Sequence, residues 1–313
     1  VIAGVLSAGF ASSASAQDQA ENSWNLKGLT RLNTKLGTGG SCKQILPNLV
    51  VKASNKNWEL SGALKIDNLE AADGCFGKHD TRLFFGKAQY KGWQDHGTTV
   101  TAGLLAPFEL AKYPLINGYT PVVLDNAQQL YGGITGLRVD QIVASNAQTS
   151  LSLNGVIGTK PDSVERFGPS IEVVTSAGFM LKHKFNENLS AEFGGRVIDF
   201  EDDINPSGKD FFGYSTLTYT TPKADYELYA EMTEGQRVNA QMSQSTDRHT
   251  LLGRARFKLD PQKQWHVAAG SVDGEWAAET SFYQKFENGL SATVGLGHTN
   301  NDNTLQIGLI KSF

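Results

Sequence analysis

The chain has 313 residues, 40% hydrophobic and 19% charged, with 33 Gly, 9 Pro and 2 Cys, and 28 basic against 32 acidic side chains give a formal net charge of -4. That composition is too apolar for a disordered chain and too poor in cysteine for a disulfide scaffold. Beyond residue 16 there is no apolar run of the roughly 18 residues that a spanning helix needs. The acidic balance also lacks the clustered cationic charge with which proteins hold nucleic acid.

In chain order, Val1 to Phe10 is a short uncharged apolar run, and the small residues Ala11 to Ala16 end in an Ala-Ser-Ala pattern. Residues 1–16 read as a secretory signal peptide truncated by a few residues, and residues 17–313 as the exported chain. Export places Cys42 and Cys75 where disulfides persist, so the two are expected to bridge each other.

From there the pattern has a period of two. Leu26, Gly28, Thr30, Leu32, Thr34 and Leu36 share one parity, and Asn25, Lys27, Arg31, Asn33 and Lys35 the other. Trp58, Leu60, Gly62, Leu64 and Ile66 alternate in the same way with Glu59, Ser61, Lys65 and Asp67, and Tyr226, Leu228, Ala230 and Met232 with Asp225, Glu227, Tyr229 and Glu231. Near the end, Leu251, Gly253, Ala255, Phe257 and Leu259 oppose Arg254, Arg256 and Lys258. Alternation of this kind predicts strands with one apolar and one wet face.

Sixteen strands are predicted, near 24–36, 47–54, 58–67, 81–91, 98–106, 131–140, 149–157, 176–185, 189–199, 211–220, 224–234, 250–259, 265–273, 276–286, 290–298 and 304–313. In 131–140, Tyr131-Gly132-Gly133 and Val139-Asp140-Gln141 interrupt the alternation; without that strand and a neighbour the count is fourteen. Short turns such as 55–57, 186–188, 221–223 and 287–289 separate mostly longer connections at 37–46, 68–80, 107–130, 158–175, 200–210 and 235–249. That asymmetry is the one found in outer-membrane barrels, with short periplasmic turns and long external loops. Open strand edges in lipid would leave backbone groups without partners, so the prediction is all-β: a closed transmembrane antiparallel up-and-down barrel.

The resemblance to a known family rests on three stretches. The C-terminal strand Thr304-Leu305-Gln306-Ile307-Gly308-Leu309-Ile310-Lys311-Ser312-Phe313 ends in a phenylalanine that shares a parity with Leu305, Ile307 and Leu309. Thr81-Arg82-Leu83-Phe84-Phe85-Gly86 precedes the strand at 98–106, and the long connection 107–130 follows it. In these features the chain resembles the trimeric, sixteen-stranded porins of Gram-negative bacteria. The resemblance implies a homotrimer in the outer membrane, contacts with its lipid and lipopolysaccharide, and assembly by the barrel machinery through Phe313. It also implies a third loop, 107–130, folded into the lumen, where Glu109, Lys112, Tyr113, Tyr119 and Asp125 would line the constriction. One departure is Gly103-Leu104-Leu105, where many members carry Gly-Arg, and it points to an apolar lining near Leu104.

With the polar parity inward, Lys27, Arg31, Lys35, Lys52, Lys65 and Lys87 would form a basic pore wall opposed there by Glu59 and Asp67. Arg254 and Arg256 join them further round, with Lys182, Arg196 and Lys258, against Glu192, Glu227, Glu231 and Glu279. Eleven bases facing six acids predict a weak preference for anions. The expected function is passive diffusion of ions and small hydrophilic solutes, with no cofactor, no metal and no enzymatic activity. The alternatives are a porin specific for a sugar or oligosaccharide and, more distantly, a barrel hydrolase using a serine with His183 or His266.

Overall fold

The computed structural model describes residues 23–36, 42–68, 79–105, 134–159, 171–202, 208–235, 248–272, 274–299 and 302–313. The strands of the first half are β1 (Asn25–Leu36), β2 (Cys42–Ser54), β3 (Trp58–Asn68), β4 (His79–Tyr90), β5 (Thr98–Leu105), β6 (Ile134–Ser145), β7 (Thr149–Thr159) and β8 (Ile171–Lys184). Those of the second half are β9 (Leu189–Asp202), β10 (Gly208–Thr220), β11 (Ala224–Gly235), β12 (Arg248–Asp260), β13 (Lys263–Val272), β14 (Glu275–Lys285), β15 (Leu290–Thr299) and β16 (Asp302–Ser312). Each pairs antiparallel with its neighbours in sequence, and β1 pairs with β16, so the sheet closes into a barrel of sixteen strands.

Closure separates the two parities by curvature. Side chains on the convex face splay apart, and those exposed there are apolar, among them Leu217, Leu228, Leu251, Leu296 and Ile307. On the concave face side chains crowd together, and there Asp225, Glu231, Arg254, His266, Glu279 and Gln306 are buried. An apolar exterior on a closed barrel satisfies both requirements of lipid, since the surface matches hydrocarbon and each backbone group finds its partner within the sheet.

The short turns share a local chemistry. Asn55, Asn146 and Asn186 each open a turn with a side-chain oxygen that accepts two backbone N–H bonds, from Asn57 and Trp58, from Gln148 and Thr149, and from Asn188 and Leu189, at 2.7–3.0 Å. Asp260 accepts from Gln262, and Asn288 from Leu290, in the same manner. These turns mimic one backbone hydrogen bond with a side chain, which reverses the strand in few residues. Just above them on the outer face runs an aromatic belt. Its ring contacts connect Trp58, Tyr90 and Trp93 on one side, and Tyr219, Tyr226, Phe257 and Trp265 across β10 to β13 on the other, at 4.9–6.4 Å. Such rings favour a membrane interface.

Several strands differ from their predicted extents. β6 begins at Ile134 and continues to Ser145, three residues later and five further than the sequence pattern placed it. A register shift between Ile142 and Ala144 accounts for the broken alternation beyond Gln141. β2 starts at Cys42 and passes through Pro47, although proline cannot donate to a ladder. The β2–β3 ladder runs from Ser54 to Asn48, so Pro47 lies where β2 pairs with β1. Cys42 is therefore the first strand residue and not part of a loop, while Cys75 lies outside the described residues, as do residues 1–16.

Candidate functional site

The concave face is a lumen wall built from cross-strand neighbours, since residues directly opposite in adjacent strands share a face. On β2 and β3, Glu59 accepts from Lys52 at 2.7 Å and also from Lys91, so one carboxylate serves two ammonium groups. Three strands further round, on β6, Arg138 holds the Asp140 carboxylate with Nε at 2.9 Å and Nη2 at 2.7 Å. Gln89 donates to Thr101 beside it.

Arg196 on β9 is held differently. It donates to the Ser176 hydroxyl at 2.8 Å and to the Asn154 amide oxygen, both neutral, so its positive charge stays on the wall. Next to it, the Tyr214 hydroxyl donates to Glu192 at 2.6 Å, and Lys182 approaches the other oxygen of the same carboxylate at 3.2 Å.

The second half of the wall repeats the pattern. Asp225 on β11 accepts from Arg256 Nε at 2.7 Å and from Lys258 at 2.6 Å, again one carboxylate between two cations. Arg254 pairs with Glu227 and lies 4.9 Å from the centre of the Tyr229 ring, whose hydroxyl donates to Glu231. Tyr229, Leu252, Phe212 and Tyr214 form a buried apolar cluster on this side of the lumen. A cation over a ring face and carboxylates capping the phenols keep that cluster polar at its edges.

The residues expected from sequence fall as follows. Lys52, Lys87, Arg254 and Arg256 sit on the lumen parity, as does Lys27, which lies opposite Lys52. Arg31, Lys35 and Lys65 occupy lumen-parity positions by register, opposite Ile310, Gln306 and Asn48. Glu109, Lys112, Tyr113, Tyr119 and Asp125 lie outside the described residues. Leu104 is on the lipid parity, opposite Gly86 and Thr135; the inward residues of β5 are Thr101, Gly103 and Leu105. Gly103 is required there, with φ of +128° and a hypothetical Cβ only 2.4 Å from the Gly86 carbonyl oxygen. Phe313 bonds through its backbone to Gly28 in both directions at 2.9 Å and lays its ring over that glycine.

Sequence reasoning passed over Arg138 and Asp140. The signal was present, because Leu137 and Val139 face outward while Arg138 and Asp140 alternate with them, but the irregular flanks of β6 obscured it. It also missed Lys91, which lies beyond β4 and reaches back to Glu59. Of the two histidines singled out, His266 is buried in the lumen wall. His183 sits on the outer row near the short turns, bonded to Thr149 at 2.8 Å with its ring against Phe185.

No family model and no curated protein matches the chain. Solved structures do. An outer membrane protein of Vibrio cholerae, OmpT, in a trimer form, has a TM-score of 0.58 at 11% identity, covering 93% of this chain and 99% of that one. OmpF of Salmonella typhi, in a complex with daunomycin, has a TM-score of 0.59 at 10% identity, covering 94% and 99%. OpdK of Pseudomonas aeruginosa, with vanillate, has a TM-score of 0.52 at 9% identity, covering 93% and 98%. The fold is thus that of the Gram-negative outer-membrane porins, over nearly the whole chain.

Proposed function

We propose that this chain is a porin of the bacterial outer membrane, passing ions and small hydrophilic solutes by diffusion without cofactor or energy coupling. The observation that carries the proposal is the division of faces: an apolar convex wall, and a concave wall dense in charged pairs around a closed ring of sixteen strands. A lumen serving no solute would be expected to pack with apolar side chains, since burying this many charges costs more than it returns.

A weak anion preference is part of the proposal. Glu59 and Asp225 each serve two cations and Arg196 is held by neutral partners, so the described wall has a surplus of positive charge. Rings of one sign bias the ions that pass. The trimer form of OmpT supports a homotrimer here, and the apolar exterior suits outer-membrane lipid and lipopolysaccharide. Phe313 is proposed as the assembly signal read by the barrel machinery, the 107–130 connection as the constriction loop, and Cys42–Cys75 as a bridge from the first residue of β2 at the long-loop end of the barrel.

Planar-bilayer recording across a KCl gradient tests the reading. Stepwise openings, grouped in threes, with a reversal potential displaced toward the chloride equilibrium value are expected. A folded barrel that stays silent overturns the channel, and a displacement toward potassium overturns the charge assignment.

A further inference from the structure

At the end of the barrel that carries the short turns, β7 to β10 leave a recess of about 480 Å³ against the lumen wall. Roughly 300–1,000 Å³ is the usual range for small-molecule sites. Residues of the turns at 146–148 and 186–188 and two rows of strand side chains form it. Ser150, Lys182, Glu192 and Thr216 stand opposite one another across four successive strands, and Lys184, Ser190 and Thr218 form the next row toward the turns.

The recess is rich in hydroxyls and has no net charge. Lys182 and Lys184 balance Glu187 and Glu192. The Glu192 carboxylate is moreover neutralised in place, with Tyr214 donating to one oxygen at 2.6 Å and Lys182 lying 3.2 Å from the other. With two bases against two acids in the lining, an ion of either sign gains no net attraction here, whereas each wall hydroxyl that loses water must recover a hydrogen bond from the solute. A molecule bearing hydroxyls around its whole periphery meets that demand, and a compact ion or an apolar molecule does not.

From this we infer that the recess is a subsite for neutral polyhydroxylated solutes, that is, mono- and disaccharides, at the short-turn mouth of the lumen. The inference rests on the channel reading for its purpose, because a mouth subsite concentrates one class of solute where it enters or leaves. Binding is weak, with a dissociation constant on the order of millimolar, as befits an open site that must release its ligand.

The test is saturation-transfer NMR on the full chain folded in detergent, with sucrose as the probe and glycine as a dipolar control. Sucrose should give a saturable signal that glycine does not displace. Thr218→Val and Glu192→Gln, both checked for heat-modifiable mobility as a sign of folding, should each weaken sucrose about 3- to 10-fold, the loss of one hydrogen bond. Absence of saturable sucrose binding, or binding unchanged in both variants, overturns the subsite. Displacement of sucrose by glycine also overturns it, in favour of a site for zwitterions. Conductance separates this from the channel reading: a barrel that conducts but binds no sucrose removes the subsite alone, and one that binds sucrose but does not conduct removes the channel alone.

Discussion

Replacing Asp225 with asparagine tests stability and ion preference in one variant. The carboxylate is bound by Lys258 at 2.6 Å and by Arg256 Nε at 2.7 Å, and its own side chain is 9% exposed against 21% for Arg256 and 31% for Lys258. Hydrogen bonds to charged groups contribute about 1.5–3 kcal/mol each. Because both partners keep part of their water, roughly half of the paired sum survives screening, so the loss is about 1.5–3 kcal/mol. Asparagine preserves one acceptor, but leaves Arg256 and Lys258 as uncompensated neighbours on the wall. The urea midpoint of the barrel refolded into lipid vesicles should therefore fall, and the reversal potential across a KCl gradient should move further toward chloride. If the midpoint and the potential both match those of the parent protein, Asp225 does not hold these cations and the account of the wall fails.

Two further outcomes follow from the same geometry and one from the proposed bridge. Glu59→Gln releases Lys52 and Lys91 together and should raise anion preference in the same recording; an unchanged reversal potential would place Glu59 off the ion path. Gly28→Val puts a Cβ 2.3 Å from the Phe313 ring, so the β1–β16 seam should lose about 1–3 kcal/mol and the folded band should disappear at a lower temperature on electrophoresis. Partial rescue by Phe313→Ala in the Gly28→Val background is expected, and a parental melting profile for Gly28→Val would count against the ring contact. Finally, the native protein should show no reactive thiol, whereas two titratable groups in the folded state would refute the Cys42–Cys75 bridge.

Much of the barrel was legible in the chain because a half-buried strand writes its two environments into alternate residues. Leu26 to Leu36 against Asn25 to Lys35 is readable without a partner, since each side chain's face depends on its own position modulo two. The short turns at 55–57 and 186–188 were legible for a related reason: Asn55 and Asn186 act on backbone groups two and three residues away. Where local order was broken, reading failed. The shift at Ile142/Ala144 exchanges the faces beyond it and hid the extent of β6, and the strand predicted from residue 47 extends back to Cys42 through its pairing with β1.

The sequence by itself determined the all-β class and which residues could share the wet face, because both follow from short-range periodicity; between sixteen strands and fourteen it left the choice open, and the closed sheet decides for sixteen. Tertiary structure alone decided which of those residues meet. That Glu59 serves Lys52 and Lys91, that Asp225 sits between Arg256 and Lys258, and that Arg196 finds Ser176 and Asn154 are consequences of register between strands tens of residues apart. A slip of one residue in any ladder would turn a strand's charges from lumen to lipid. Closure of β1 on β16 sets all the registers at once, and with them the charge pattern of the wall.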